Sequence, residues 1–232
     1  MKIKEMNWMQ LEEYLKQDDR VILPLGSVEQ HAYLSLCTDA ILAEKAAEDA
    51  AEPLNIPVFP VLSYGVTPHL KAFPGTITLK ISLYLEVVKS LLEEMIKTGF
   101  RRILVVNGHG GNNAVCEVTS EVMAEHPDTK IKFLNWWDAP KTWELIQAID
   151  PDATHASWLE NFPWTRLAGV TLPQKSKKMC DHSAIQLING KELRIALGDG
   201  SFGGRYTRSD EDMLEIWETA IAEIQESLEK NW

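Results

Sequence analysis

Residues 101–126, RRILVVNGHGGNNAVCEVTSEVMAEH, decide the fold. Ile103-Leu104-Val105-Val106 is an unbroken apolar run, as expected of a strand buried on both faces. It passes through a glycine-rich turn, 107–111, into a helical stretch at 114–126. KIKFLNWW, 130–137, then reads as the next strand. The same alternation extends outward. RVILPL (20–25) is a second buried strand, and TDAILAEKAAEDAAEPL (38–54) is a helix with Thr38 or Asp39 at its cap and Pro53 near its end. IPVFPVLSYG (56–65) reads as strand and turn. SLYLEVVKSLLEEMIKTG (82–99) carries a helical stripe of Leu85, Val88, Leu92 and Met95, with Gly99 suited to the C′ position. MQLEEYLKQ (9–17) and residues 210–230 are amphipathic helices at the two ends. Such alternation implies an α/β fold with a mostly parallel sheet covered by helices on both faces. In these folds ligands sit beyond the carboxyl ends of the strands.

The chain has 232 residues, 45% of them hydrophobic and 25% charged, with a formal net charge of −11. These values suit an ordinary globular protein, read as a single domain over 1–232. The negative balance argues against nucleic acid, since nothing would offset phosphate repulsion, but acids can hold a cation. No apolar run approaches a membrane span and no signal core opens the chain. Cys37, Cys116 and Cys180 are scattered, as expected of reduced thiols in a cytoplasmic protein.

Three clusters sit where ligand-binding residues belong. LGSVEQHAYLSLCTDA (25–40) follows a strand and holds Glu29, His31 and Asp39. Glu29 and His31 lie two apart, on one side of an extended segment. They are either solvated loop groups or part of a converging site, and Asp39 is either a simple helix cap or a third donor. In NGHGG (107–111), His109 leaves a strand between glycines. This is a tight turn or a place where backbone approaches a ligand with free amides. It is neither a P-loop nor GxGxxG. In DATHASWLEN (152–161), His155 precedes a helix and Glu160 lies in its first turns, so the two approach one point or are merely solvated.

Taken in order, LPLGSVEQH, TD, FPGTI, NGHGGN and HAxxxE resemble the creatininase family of metal-dependent amidohydrolases, from about residue 20 to residue 165. GDGSFGGRYTRSDED (198–212) resembles the family's closing segment more loosely. The resemblance implies a three-layer α/β/α sandwich and a homo-oligomer, often a hexamer. It also implies two divalent metal ions per chain, Zn²⁺, Mn²⁺ or Fe²⁺. Glu29, His31 and His109 match metal ligands, Asp39 matches the bridge between ions, and Glu160 matches the acid completing the second. His155 matches a catalytic histidine and His69 a pocket-lining one. A carboxylate and imidazole set without thiolate suits these metals, and two of them can share and acidify a water. Gly110 and Gly111 amides are candidates for stabilising an oxyanion. Trp136, Trp137, Trp158 and Tyr64 are candidates for the pocket wall. Lys175, Lys177 and Lys178 read as a solvated basic loop, and His182 as a strand residue.

The chain departs from the family pattern in places. Ala32 and Leu34 stand where relatives carry glycine and a second histidine. Gly110 and Gly111 replace the aromatic and ligating acid of creatininase itself, and Pro151 stands where a creatinine clamp would be. The expectation is therefore a two-metal hydrolase of a small polar cyclic substrate other than creatinine, cleaving a cyclic amide or formamide C–N bond. Ring opening of a cyclic diketone or keto-inositol at a C–C bond, and peptide trimming, are the alternatives within the family. A binding or scaffold protein that retains the fold is the non-enzymatic alternative.

Overall fold

The computed structural model describes residues 1–185 and 187–232, with the side chains of His182 and Ala184 outside the described set. In chain order the helices and strands are α1 (Trp8–Leu15), β1 (Arg20–Leu25), α2 (Thr38–Ala51), α3 (Ile81–Thr98), β2 (Arg102–Asn107), α4 (Val115–Glu125), β3 (Lys130–Asn135), α5 (Pro140–Ile149), α6 (His182–Ile185), α7 (Gly190–Leu197) and α8 (Asp210–Glu229). The three strands form a parallel sheet in the order β1-β2-β3. Their ends are level, with Leu25 opposite Asn107 and Asn107 opposite Asn135. All three strands therefore leave the sheet at one rim.

Alternate strand residues point to opposite faces, and each face has its own core. Ile22, Leu104 and Val106 pack with α2, α5 and α8 on one side. Val21, Leu23, Leu25, Ile103 and Val105 pack with α3 and α4 on the other. This is the expected three-layer α/β/α sandwich. On α8 the buried residues Met213, Ile216, Trp217, Ala220, Ile224 and Leu228 recur at helical spacing, facing the alanine-rich side of α2.

Residues 56–65 depart from the expected strand. They run alongside β1 but meet it only at isolated parallel bridges, Ile22 to Val58 and Leu25 to Leu62. Pro24 and Pro60 lack the amide hydrogens that a continuous ladder needs. An extra residue consequently falls between Phe59, which donates to the Ile22 carbonyl, and Leu62, which donates to that of Pro24. His182 opens the short helix α6 instead of lying in a strand. The cap of α2 also differs: Cys37 holds the N-cap position without a side-chain bond, and Asp39 lies within the first turn.

Two glycines set how closely α2 approaches the rim. A Cβ on Gly26 would fall 2.4 Å from the Ala40 Cα, and one on Gly108 would fall 2.3 Å from the Asp39 carbonyl oxygen. The missing side chains let the first turn of α2 rest directly on the strand ends. Gly26→Ala is expected to cost about 1–3 kcal/mol by overpacking. Urea unfolding measures it, and an unchanged midpoint would show that this contact is not what seats the helix.

Candidate metal centre

Beyond the rim, a network of amides shapes the loops. Asn107 Nδ2 donates to the His109 carbonyl at 2.6 Å and to Asn135 Oδ1 at 2.8 Å, while its Oδ1 accepts from the His109 amide. Asn112 Nδ2 donates to the Gly26 carbonyl, and its Oδ1 accepts from the Val66 amide. These two asparagines bind the exits of β1, β2 and β3 to one another. The polar residues carried by the exits therefore converge.

Glu29, His31, Asp39 and His109 are all buried, and Asp39 stands between the two histidines. Its Oδ1 lies 2.9 Å from His31 Nε2, and its Oδ2 lies 2.9 Å from His109 Nδ1. Ser27, itself fully buried, donates to Oδ2 at 2.8 Å. Glu29 Oε1 is 3.4 Å from His109 Nδ1 and 3.6 Å from His155 Nδ1. Glu160 Oε2 is 3.7 Å from His31 Nε2 and accepts from the Ala156 amide at 2.6 Å. Three groups of donors lie within 4.8 Å of one another: Glu29, Asp39 and His109; His31, Asp39 and Glu160; and Glu29, His31 and His155.

The histidines share one wiring. His31 Nδ1 is 3.1 Å from the Glu29 carbonyl, and His109 Nε2 is 3.0 Å from that of Val66. A carbonyl only accepts, so those ring nitrogens carry a hydrogen, and the inner nitrogens, which face the carboxylates, are the ones a cation would take in exchange for a proton. Metal-ligating histidines are oriented in this way by outer partners. His155 Nε2 lies 3.0 Å from the Gln30 carbonyl, but also 2.9 Å from Gln30 Nε2, a donor. It can serve one of these at a time, so both tautomers of His155 have a partner.

The electrostatics describe a place built for positive charge. Burial disfavours ionisation of Asp39, yet the facing His31 and His109 hold its carboxyl well below the usual range. Burial likewise opposes charge on His31, but Asp39 and Glu160 raise its imidazole well above the ordinary value. His109 is pushed up to about 9, burial being outweighed by Glu29 and Asp39. His155 moves the other way, lowered by burial and by the neighbouring His31 against the pull of Glu160 and Glu29. Glu29 Oε2 is buried without a hydrogen-bond partner, and the inner nitrogen of His31 faces the carboxylates of Asp39 and Glu160. Buried carboxylate and imidazole donors turned toward one another in this way fit a divalent cation in each of two adjoining groups that share Asp39.

A cavity of about 310 Å³ opens over these donors. His69, Gly110, Gly111, Trp136 and Trp137 line it, with His69 at its exposed edge. Burial lowers the imidazole of His69. Tyr64 does not belong to the wall: it is 48% exposed and outside the lining, near the end of the irregular edge segment. Trp158 is wholly buried in the core beneath. Lys177 is not solvated, since its ammonium binds Asp199 and the Ser201 carbonyl. Phe202, Trp143 and Thr154 line the cavity without having been singled out. Thr154 sits beside His155 and Phe202 within the loosely family-like closing segment, but none of the three carries a metal-binding or acid–base group to mark it. Gln30 was also missed, although it lies between Glu29 and His31.

Ala32 has φ +50, in the left-handed region that favours glycine. The turn immediately after His31 thus explains why relatives place glycine there. Ala32→Gly is expected to raise stability by roughly 0.5–1 kcal/mol, after glycine's extra unfolded-state freedom is set against the relieved strain. Denaturant unfolding tests this, and a loss of stability would show that the methyl group packs usefully.

Comparison with known proteins agrees with this architecture. The family model described as creatininase, creatinine amidohydrolase, matches residues 4–228. Creatinine amidohydrolase of Pseudomonas putida is 28% identical over 163 residues, covering 65% of this chain and 63% of that protein. A 3-dehydro-scyllo-inosose hydrolase of Thermotoga maritima is 34% identical over 107 residues, covering 45% of this chain and 34% of the relative. A mycofactocin precursor peptide peptidase of Mycolicibacterium smegmatis is 35% identical over 102 residues, covering 40% of each. The matched stretches thus span less than two thirds of these relatives' lengths. Among solved structures, a creatinine amidohydrolase superposes with a TM-score of 0.79 at 21% identity, covering 99% of this chain and 98% of the other. A creatininase described as Mn (TM-score 0.73, 21% identity, 99% of each chain) and a mutant described as Zn-Zn type (0.76, 21%, 97% and 96%) share the fold. With the family model spanning nearly its whole length, the chain belongs to the creatininase family.

Proposed function

We propose that the protein is a metal-dependent hydrolase of a small polar cyclic substrate, acting on a cyclic amide or formamide C–N bond. The observation that carries this reading is the placement of Asp39, one carboxylate oxygen toward His31 and the other toward His109. Glu29, Asp39 and His109 would hold one divalent cation, and His31, Asp39 and Glu160 the other. Zn²⁺, Mn²⁺ and Fe²⁺ all suit such donors. When bound, the pair supplies an acidified water and polarises the carbonyl under attack.

The remaining work falls to the chain. His155 Nδ1 faces Glu29 and the cavity, and its lowered basicity keeps the ring neutral and able to accept a proton. The two-way bonding of its Nε2 by Gln30 accommodates the proton on either nitrogen. Trp136, Trp137 and Phe202 provide apolar walls that exclude water and favour a flat ring. At about 310 Å³, the cavity is at the lower end of small-molecule sites, which favours a compact substrate over a peptide. The glycine turn supplies amides of Gly110 and Gly111 that donate no hydrogen bond among the described residues. These amides would be the chain's own donors to a developing oxyanion.

A second reading keeps the centre and changes the bond. The similarity to an inosose hydrolase, at 34% identity, favours C–C ring opening of a keto-inositol. Incubation with lactams, formamides and keto-inositols, followed by product mass, decides between them. A new amine, either on the opened chain of a lactam or freed with formate from a formamide, supports amide chemistry, whereas a new carboxylate from a nitrogen-free keto-inositol supports ring cleavage.

Metal analysis of protein purified without chelator is expected to give two equivalents, and Asp39→Ala to release both. Retention of one tightly held ion in that variant would count against a bridge. His155→Ala is expected to keep both ions while slowing turnover by roughly 10²-fold or more. Full turnover in that variant would remove His155 from the reaction.

A further inference from the structure

The third donor group, Glu29, His31 and His155, is not used by the reading above. We infer that it is a second seat for one of the two cations, favoured by a nitrogen-preferring ion. The inference rests on the two-cation reading and concerns what decides where the second ion sits.

His31 has a single ring nitrogen to offer a cation, because Nδ1 is bonded to the Glu29 carbonyl. One lone pair serves one cation. The groups His31–Asp39–Glu160 and Glu29–His31–His155 are therefore alternative seats for the same ion and not two sites to be filled together. His155 is built to compete. Its outer nitrogen is anchored on the Gln30 carbonyl, as those of His31 and His109 are anchored on theirs, and its Nδ1 faces Glu29 Oε1 at 3.6 Å. Its ring lies 4.5 Å from that of His31, centroid to centroid. Glu29 Oε2, buried and unpartnered, leaves this carboxylate with an oxygen to give.

The seats differ in chemistry. One presents one nitrogen and two carboxylates, the other two nitrogens and one carboxylate. Oxygen donors suit Mn²⁺, while imidazole suits Zn²⁺ and the later transition ions. A single short loop holds both deciding side chains, His155 and Glu160, and the Ala156 amide between them fixes Glu160 at 2.6 Å. An ion in the Glu160 seat leaves His155 Nδ1 free. An ion in the His155 seat takes that lone pair and removes the proton acceptor.

Equilibrium dialysis with Mn²⁺ and with Zn²⁺, followed by metal analysis, tests this. Wild-type protein is expected to bind two equivalents of either ion. In Glu160→Gln, which can still accept the Ala156 bond, the second Mn²⁺ should weaken by about 100-fold and the second Zn²⁺ by no more than about tenfold. Adding His155→Ala should then weaken the second Zn²⁺ by about 100-fold as well. A zinc loss in Glu160→Gln equal to the manganese loss, or no further zinc loss in the double variant, overturns the second seat. Fewer than two equivalents bound by wild type would instead remove the two-cation reading beneath it. Equal metal-free unfolding midpoints across the variants separate a lost seat from a lost fold.

Discussion

The buried carboxylate of Asp39 is the constraint around which the rest of the site is arranged. A negative charge taken out of water needs compensation, and here it comes from two imidazoles, a serine hydroxyl and the start of a helix. That arrangement requires the first turn of α2 to touch the ends of β1 and β2, and Gly26 and Gly108 allow it. The sheet register sets the strand ends level, and the asparagines of the glycine turn bind those ends together. Fold and centre are thus one construction: the packing that seats α2 also fixes the distance between the two donor groups sharing Asp39.

Much of this was legible in the residues. The apolar runs of β1 and β2 could only be strands buried on both faces, and α3 and α8 carried their stripes openly. Glu29, His31, Asp39 and His109 could be placed at strand exits, and the family motifs joined them into a centre with Glu160 and His155. What the residues did not disclose was whether those exits were neighbours; pairing of β1 with β2 is a tertiary fact without a local signature. The edge segment 56–65 misled because its β-branched and aromatic residues suit a strand, while its prolines spoil the ladder. Tyr64 went astray with it.

The cavity wall was the least legible part. Phe202 and Thr154 come from irregular segments and Trp143 from α5, brought together by contacts that local pattern does not encode. Lys177 looked like a surface charge among other lysines, yet its ammonium closes the segment carrying Phe202 by binding Asp199 and the Ser201 carbonyl. Gln30 shows the opposite case. It was adjacent to ligand candidates in the sequence, but only the folded loop shows its side chain reaching His155 and the Gly200 carbonyl.

Gly111 occupies the place where creatininase itself carries a ligating acid. A Cβ there would fall 2.0 Å from the Val66 carbonyl oxygen and 2.4 Å from His109 Nε2. That same carbonyl orients the His109 ring. An acid placed at 111 would therefore dislodge the hydrogen-bond acceptor on which a neighbouring imidazole depends. A single substitution cannot install that side chain: the 66–67 backbone has to withdraw first, so the turn as folded admits glycine alone.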